Sequence, residues 1–224
     1  MRILGLSGSL RRDSHNSSLL RAAAKALPPG VELEQFDGLA ELPHYDADLD
    51  VDPAPVSVER LRDAIADADG VLIATPEYNG SIPGGLKNAV DWASRPFPDN
   101  AWHDKPVAVI GASTGIFGAV WAQAQLRKSL GIAGARVLDA ELAVGSAQGA
   151  FLPSGALRDP GLATGLRSVV GALVDALAPP FSRDSALRHG CPATPKTGPP
   201  TTAQAVQNGT SEPVVAMPLR CATT

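Results

Sequence analysis

Five short apolar runs alternate with amphipathic stretches along residues 1–178, and this alternation constrains the fold more than any other feature of the chain. The runs cover residues 2–6, 31–36, 71–75, 107–112 and 136–144. They are dense in Val, Ile, Leu and Ala and read as strands. Between and after them, residues 17–27, 58–68, 85–93, 119–130 and 162–177 keep helical spacing. In the last of these, Leu162, Leu166, Val169, Leu173 and Leu177 form one stripe, which a helix turns toward a core. Strand and helix in strict turn predict an α/β domain: a five-stranded parallel sheet with helices on both faces, a three-layer sandwich. Such sheets bind ligands beyond the carboxyl ends of their strands, near the point where strand order reverses. Chemistry is therefore expected in the loops after the first, third and fourth strands.

The pattern stops near Ala178. Residues 179–224 hold eight of the 20 prolines and many threonines with no apolar period, which predicts a disordered Pro/Thr-rich tail beyond the folded domain of residues 1–178. Both cysteines, Cys191 and Cys221, fall in that tail. The body thus offers no thiolate for an Fe–S cluster, a zinc site or a redox dithiol. His15, His44, His103 and His189 lack ligand spacing, so no metal is expected. Asp46, Asp48, Asp50 and Asp52 lack the glycine and glutamate of a calcium loop and read as a solvated acidic segment. A formal charge of −4 argues against a nucleic-acid partner, which requires clustered Lys and Arg. No apolar run approaches the roughly 20 residues that span a bilayer, and residues 1–10 lack the core of a secretory signal. A cytoplasmic protein with no membrane partner is the expectation.

After the first strand, Ser7-Gly8-Ser9-Leu10-Arg11-Arg12-Asp13-Ser14-His15-Asn16-Ser17-Ser18 runs into the first helix. Helix N-terminal amides with hydroxyls, an amide side chain and a guanidinium suit a phosphate monoester, a dianion with several acceptor oxygens. The same loop also reads as a polar turn in which Asn16 or Ser17 caps the helix. It is neither of the common nucleotide loops, because the chain has no Gly-Lys pair and none of its 22 glycines has another two positions away. After the third strand, Thr75-Pro76-Glu77-Tyr78-Asn79-Gly80-Ser81-Ile82-Pro83-Gly84-Gly85 fixes an irregular backbone that leaves main-chain groups free for a flat ligand. After the fourth, the glycines of Gly111-Ala112-Ser113-Thr114-Gly115-Ile116-Phe117-Gly118 are expected to let the backbone lie close to that ligand. A separate dinucleotide site here is disfavoured, since its glycine pattern belongs after the first strand.

Taken together, Gly8-Ser9-Leu10-Arg11, Ser14 and Asn16, then Pro76-Glu77-Tyr78-Asn79 leading into Leu86-Lys87-Asn88-Ala89-Val90-Asp91-Trp92, resemble the NAD(P)H-dependent FMN reductase family. That family includes bacterial quinone, chromate and azo-dye reductases. The resemblance runs on through Gly111-Ala112-Ser113 and Ala150-Phe151 to the last helix. It implies a flavodoxin-like fold, FMN as cofactor, NADPH or NADH as co-substrate and a small electron acceptor. It also implies that Ser9, Arg11, Ser14, Asn16 and Ser17 hold the FMN phosphate. Pro76, Glu77, Tyr78 and Asn79 would lie along the isoalloxazine and ribityl group, with Ser113 nearby. The Glu77 carboxylate would repel an anionic flavin, so its backbone is expected to face the cofactor while the carboxylate pairs elsewhere, for instance across a subunit boundary. A homodimer or homotetramer is implied as well.

No catalytic side chain is required, since FMN carries the hydride chemistry at N5. A flavodoxin-type electron carrier without nicotinamide turnover of its own is the competing reading, and a silent binding protein a third. Among the remaining aromatics, Trp92 reads as packing or a subunit contact. Trp102 and Trp121 read as surface anchors.

Overall fold

The computed structural model describes residues 1–177; the tail expected over 179–224 lies outside the described residues. Five parallel strands, β1 (Arg2–Ser7), β2 (Glu32–Phe36), β3 (Gly70–Thr75), β4 (Pro106–Ala112) and β5 (Arg136–Val144), form one sheet in the order β2-β1-β3-β4-β5. That is the flavodoxin-like doubly wound order. The helices are α1 (His15–Ala26), α2 (Val56–Asp67), α3 (Gly84–Ala93), α4 (Val120–Ile132) and α5 (Pro160–Leu177). All ten expected elements are present. The first helix starts at His15, two residues before the expected stretch of 17–27, because Ser14 caps it by accepting from the amides of Asn16 and Ser17.

Burial follows position in the sheet. Every residue of β3 and β4 is buried, whereas the edge strands β2 and β5 are partly exposed. Alternate residues feed two cores. Ile3, Leu72 and Ile110 meet α1 and α5 on one face, and Leu4, Val71 and Val109 meet α2, α3 and α4 on the other. No helix among the described residues is long and apolar enough to cross a membrane.

Two buried tryptophans tie connections to these layers. Trp92 donates Nε1–H to Pro43 O at 2.8 Å, while Asn88, one turn earlier, bridges Pro43 O and the Tyr45 amide. Trp102 corrects an expectation: it is fully buried rather than a surface anchor, and its Nε1–H reaches Val90 O. Asn100 folds the connection inward by accepting from the Trp102 amide and donating to Ala133 O. Trp121 is half exposed.

The β4–β5 pairing contains a bulge. Between Val107 and Val109 β4 advances two residues, while β5 advances four, from Val137 to Glu141. Arg127 of α4 fills the defect. Its guanidinium donates to Leu138 O, Ala140 O and Val109 O, so carbonyls that the interrupted ladder cannot pair are still satisfied.

Candidate functional site

The strand order reverses between β1 and β3, and the loops that follow β1, β3 and β4 meet there around a cleft of about 290 Å³. Ser9, Arg11, His15 and Asn16 line one side; Pro76, Glu77, Tyr78, Ala112, Ser113 and Thr114 line the rest. Seven of the ten expected site residues are thus brought together. Ser14, Ser17 and Asn79 are not on the lining.

The structure separates roles that sequence had grouped. Ser14 is buried and its hydroxyl oxygen is taken by two helix amides. Asn16, also buried, donates Nδ2–H to Ala112 O and accepts from the Ala112 amide, both at 2.9 Å. Its amide therefore stitches the first loop to the end of β4. Ser17 shares a 2.9 Å hydrogen bond with Ser7 across the loop. Ser9 and Arg11 stay near the solvent side, where the Arg11 guanidinium rests on Asp13 O and the Arg11 amide on Ser9 Oγ. The amino end of α1 adds its partial positive charge to this wall.

The second loop is a miniature hairpin. Tyr78 and Ser81 exchange backbone hydrogen bonds around Asn79 and Gly80, both at positive φ. Asn-Gly is the pair that such two-residue turns demand. Asn79 thereby shapes the turn, and Tyr78 is left half exposed at the rim. The Glu77 carboxylate does pair elsewhere, but within its own chain. Its Oε2 accepts from the amides of Trp121 (3.0 Å) and Ala122 (3.1 Å), the second and third residues of α4. The residue before that helix is Ala119, which has no side chain to cap it, so Glu77 supplies the missing acceptor and a charge matched to the helix dipole. Gln125 completes the clasp, donating to Gly80 O and accepting from Ser81 Oγ. Glu77→Ala should cost about 1–2 kcal/mol in chemical denaturation, with Glu77→Gln recovering most of it. Equal losses in the two variants would reject the capping role.

In the third loop, glycines let backbone approach backbone within the protein, while Ser113 and Thr114 keep the loop on the cleft lining. A Cβ on Gly118, which has φ of +61°, would lie 2.6 Å from Ala143 C and Val144 N. One on Gly145 would lie 2.2 Å from Ile116 O. Three main-chain hydrogen bonds strap the loop to the segment after β5: Ser113 N to Val144 O, Ser146 N to Gly115 O, and Ala147 N to Ser113 O.

Sequence reasoning assigned no cofactor role to His15 and missed the lining contributed by Ala112 and Thr114. Their signal was positional, since each is adjacent to a residue already selected. The His15 imidazole pKa is lowered, first by burial and then by the Arg11 charge. One wall of the cleft is therefore cationic and hydroxyl-rich, and the other is main chain with an aromatic rim. That donor set fits a group with a dianionic end and a flat polar ring.

Residues 1–149 match the family model described as NADPH-dependent FMN reductase. The chain belongs to this family. Among similar proteins, the NAD(P)H-dependent FMN reductase PA1204 of Pseudomonas aeruginosa is 45% identical over 160 residues, covering 71% of this chain and 85% of its own. A quinone reductase of Escherichia coli K12 is 41% identical over 140 residues, 62% of this chain and 74% of its own. In structure, the flavoenzyme NAD(P)H:(acceptor) oxidoreductase FerB from Paracoccus denitrificans has a TM-score of 0.70 at 40% identity, over 79% of this chain and 96% of that one. The protein is accordingly an oxidoreductase of the FMN- and NAD(P)H-dependent reductases, and the switch-point cleft is its cofactor candidate.

Proposed function

We propose that this protein oxidises NADH or NADPH through bound FMN, whose ring takes up a hydride and passes electrons to a small acceptor such as a quinone, free flavin, azo compound or chromate. The observation that carries this reading is the two-ended cleft at the β1/β3 reversal. Relatives named quinone reductase support a quinone among the acceptors. In this reading Ser9, Arg11 and the first amides of α1 would hold the phosphate. Ser14, Asn16 and Ser17 would fix the loop that presents them. Pro76, the Glu77 main chain, Tyr78 and Ser113 would border the ring, and Asn79 would set the hairpin that carries Tyr78. One open face would serve nicotinamide and acceptor in turn, which predicts ping-pong kinetics.

Residues 1–178 would form the catalytic domain in the cytoplasm, working as a homodimer or homotetramer. Exposed Leu10, Tyr78, Ile116, Phe117 and Trp121 on the three site loops and the start of α4 support a partner-covered rim.

The strand order is equally that of electron carriers, so an FMN-loaded carrier reduced by another protein is the second reading. Anaerobic mixing with NADPH separates them: rapid loss of the yellow absorbance is expected, and bleaching that needs an added protein would favour the carrier. Arg11→Ala should weaken FMN binding by about 1.5–3 kcal/mol through loss of a charge-assisted contact. Unchanged affinity in a fluorescence titration would remove Arg11 from the phosphate site.

A further inference from the structure

His15 is the first residue of α1 and lines the cleft together with Arg11, whose charge its imidazole senses. The imidazole lies parallel to the Phe151 ring, with centroids 6.4 Å apart and planes 5° apart. Phe151 is itself held. It pairs with Leu157 across a small hairpin closed by Leu152 N to Ala156 O and Arg158 N to Ala150 O, and Lys25 of α1 anchors that hairpin through Ser154 O. A held aromatic ring thus runs parallel to the imidazole beside the cleft.

The charged groups around it are few. Arg11, Arg12 and Asp13 come from its own loop, and Arg11 is the one that opposes its protonation. Lys25 and Arg158 are engaged with carbonyls of the hairpin region, and the Glu77 carboxylate is committed to α4. Residues 112–114 carry no charge. An uncompensated cationic corner of this kind favours a neutral imidazole until an anion arrives. A phosphate dianion within hydrogen-bonding range reverses that preference, because opposite charge stabilises the protonated ring.

We propose that His15 is a proton-coupled ligand of the cofactor phosphate, taking up a proton as FMN binds and making FMN retention dependent on pH. This rests on the cleft being the FMN site. The sign follows from the two states. With the pKa below 6.5 in the free protein and raised in the complex, the added affinity is full below the free-state value. It is lost as pH rises through the bound-state value. FMN therefore binds more tightly toward pH 6 and is released more readily toward pH 8.

The test compares wild type with His15→Phe, which keeps a flat ring against Phe151 but cannot be protonated, and His15→Asn as a second, smaller variant. FMN dissociation constants are measured by fluorescence quenching between pH 6 and 8, with riboflavin, which lacks the phosphate, as the control ligand. Ionisation of the FMN phosphate itself, with a pKa near 6, is common to all three proteins and cancels in the ratio. The wild-type affinity is expected to gain roughly five- to tenfold over either variant from pH 8 to pH 6, for FMN and not for riboflavin. Calorimetry in two buffers of different ionisation enthalpy should show extra proton uptake in wild type alone. Parallel pH profiles with intact FMN binding would overturn the role of His15 while leaving the cofactor site standing. A similar gain with riboflavin would also overturn it. Failure of all three proteins to bind FMN would remove both.

Discussion

Asn16→Ala is expected to lower the unfolding free energy by about 2–4 kcal/mol and to weaken FMN binding in the same protein. The side chain is buried and meets both polar groups of Ala112. Truncation leaves a buried N–H and a buried C=O without partners, each costing about 1–3 kcal/mol. Asn16→Asp is expected to fare little better, because a carboxylate can accept from the Ala112 amide but faces the Ala112 carbonyl with no proton to donate. Urea unfolding gives the stability term, and FMN titration of the folded fraction gives the binding term. A change in FMN affinity with stability unaltered would mean that Asn16 acts on the ligand directly, as its neighbours in sequence suggest.

Gly145→Ala should be the most damaging single methyl group added near the cleft. The new carbon would sit 2.2 Å from Ile116 O, and the obstacle is main chain, not a side chain that could rotate away. The 113–118 loop must then separate from the end of β5, at a cost of about 2–3 kcal/mol, and Ser113 and Thr114 move with it. Gly149→Ala is the matched control, since nothing lies within 4 Å of its added carbon. Its cost should stay within about 0.5 kcal/mol. Similar unfolding midpoints for the two variants would show that the loop can shift without loss.

The layers of the fold were legible because the strands are short continuous apolar runs and the helices keep helical spacing, and the reversal at β1/β3 follows from a strand order common to such sheets. The first loop was legible as a place but not as a set of roles. Ser14 and Asn16 look like ligands beside Ser9 and Arg11, yet Asn16 bonds a residue 96 positions away. No local pattern encodes that partner. Glu77 shows the same limit. Repulsion from a reduced flavin correctly turned its carboxylate aside, but the partner amides, 44 and 45 positions on, depend on where α4 begins. Trp102 was misread because its polar, proline-rich surroundings suggest a surface, whereas Asn100 turns the segment inward. Gly118 shows a related limit: sequence marks where backbone can come close, not that its neighbour is the main chain at the end of β5.

The irregularity that Arg127 closes has an evolutionary corollary. The excess in β5 over β4 is two residues, an even number, so inward and outward side chains keep their alternation through it and Leu142 and Val144 still point into the core. Descendants of this chain could gain or lose residues there in pairs and merely lengthen or shorten the detour. A single-residue insertion or deletion would invert the remainder of the strand, exposing those two side chains and dragging the strap off the cleft. Length variation among its kin at this point should therefore be counted in twos.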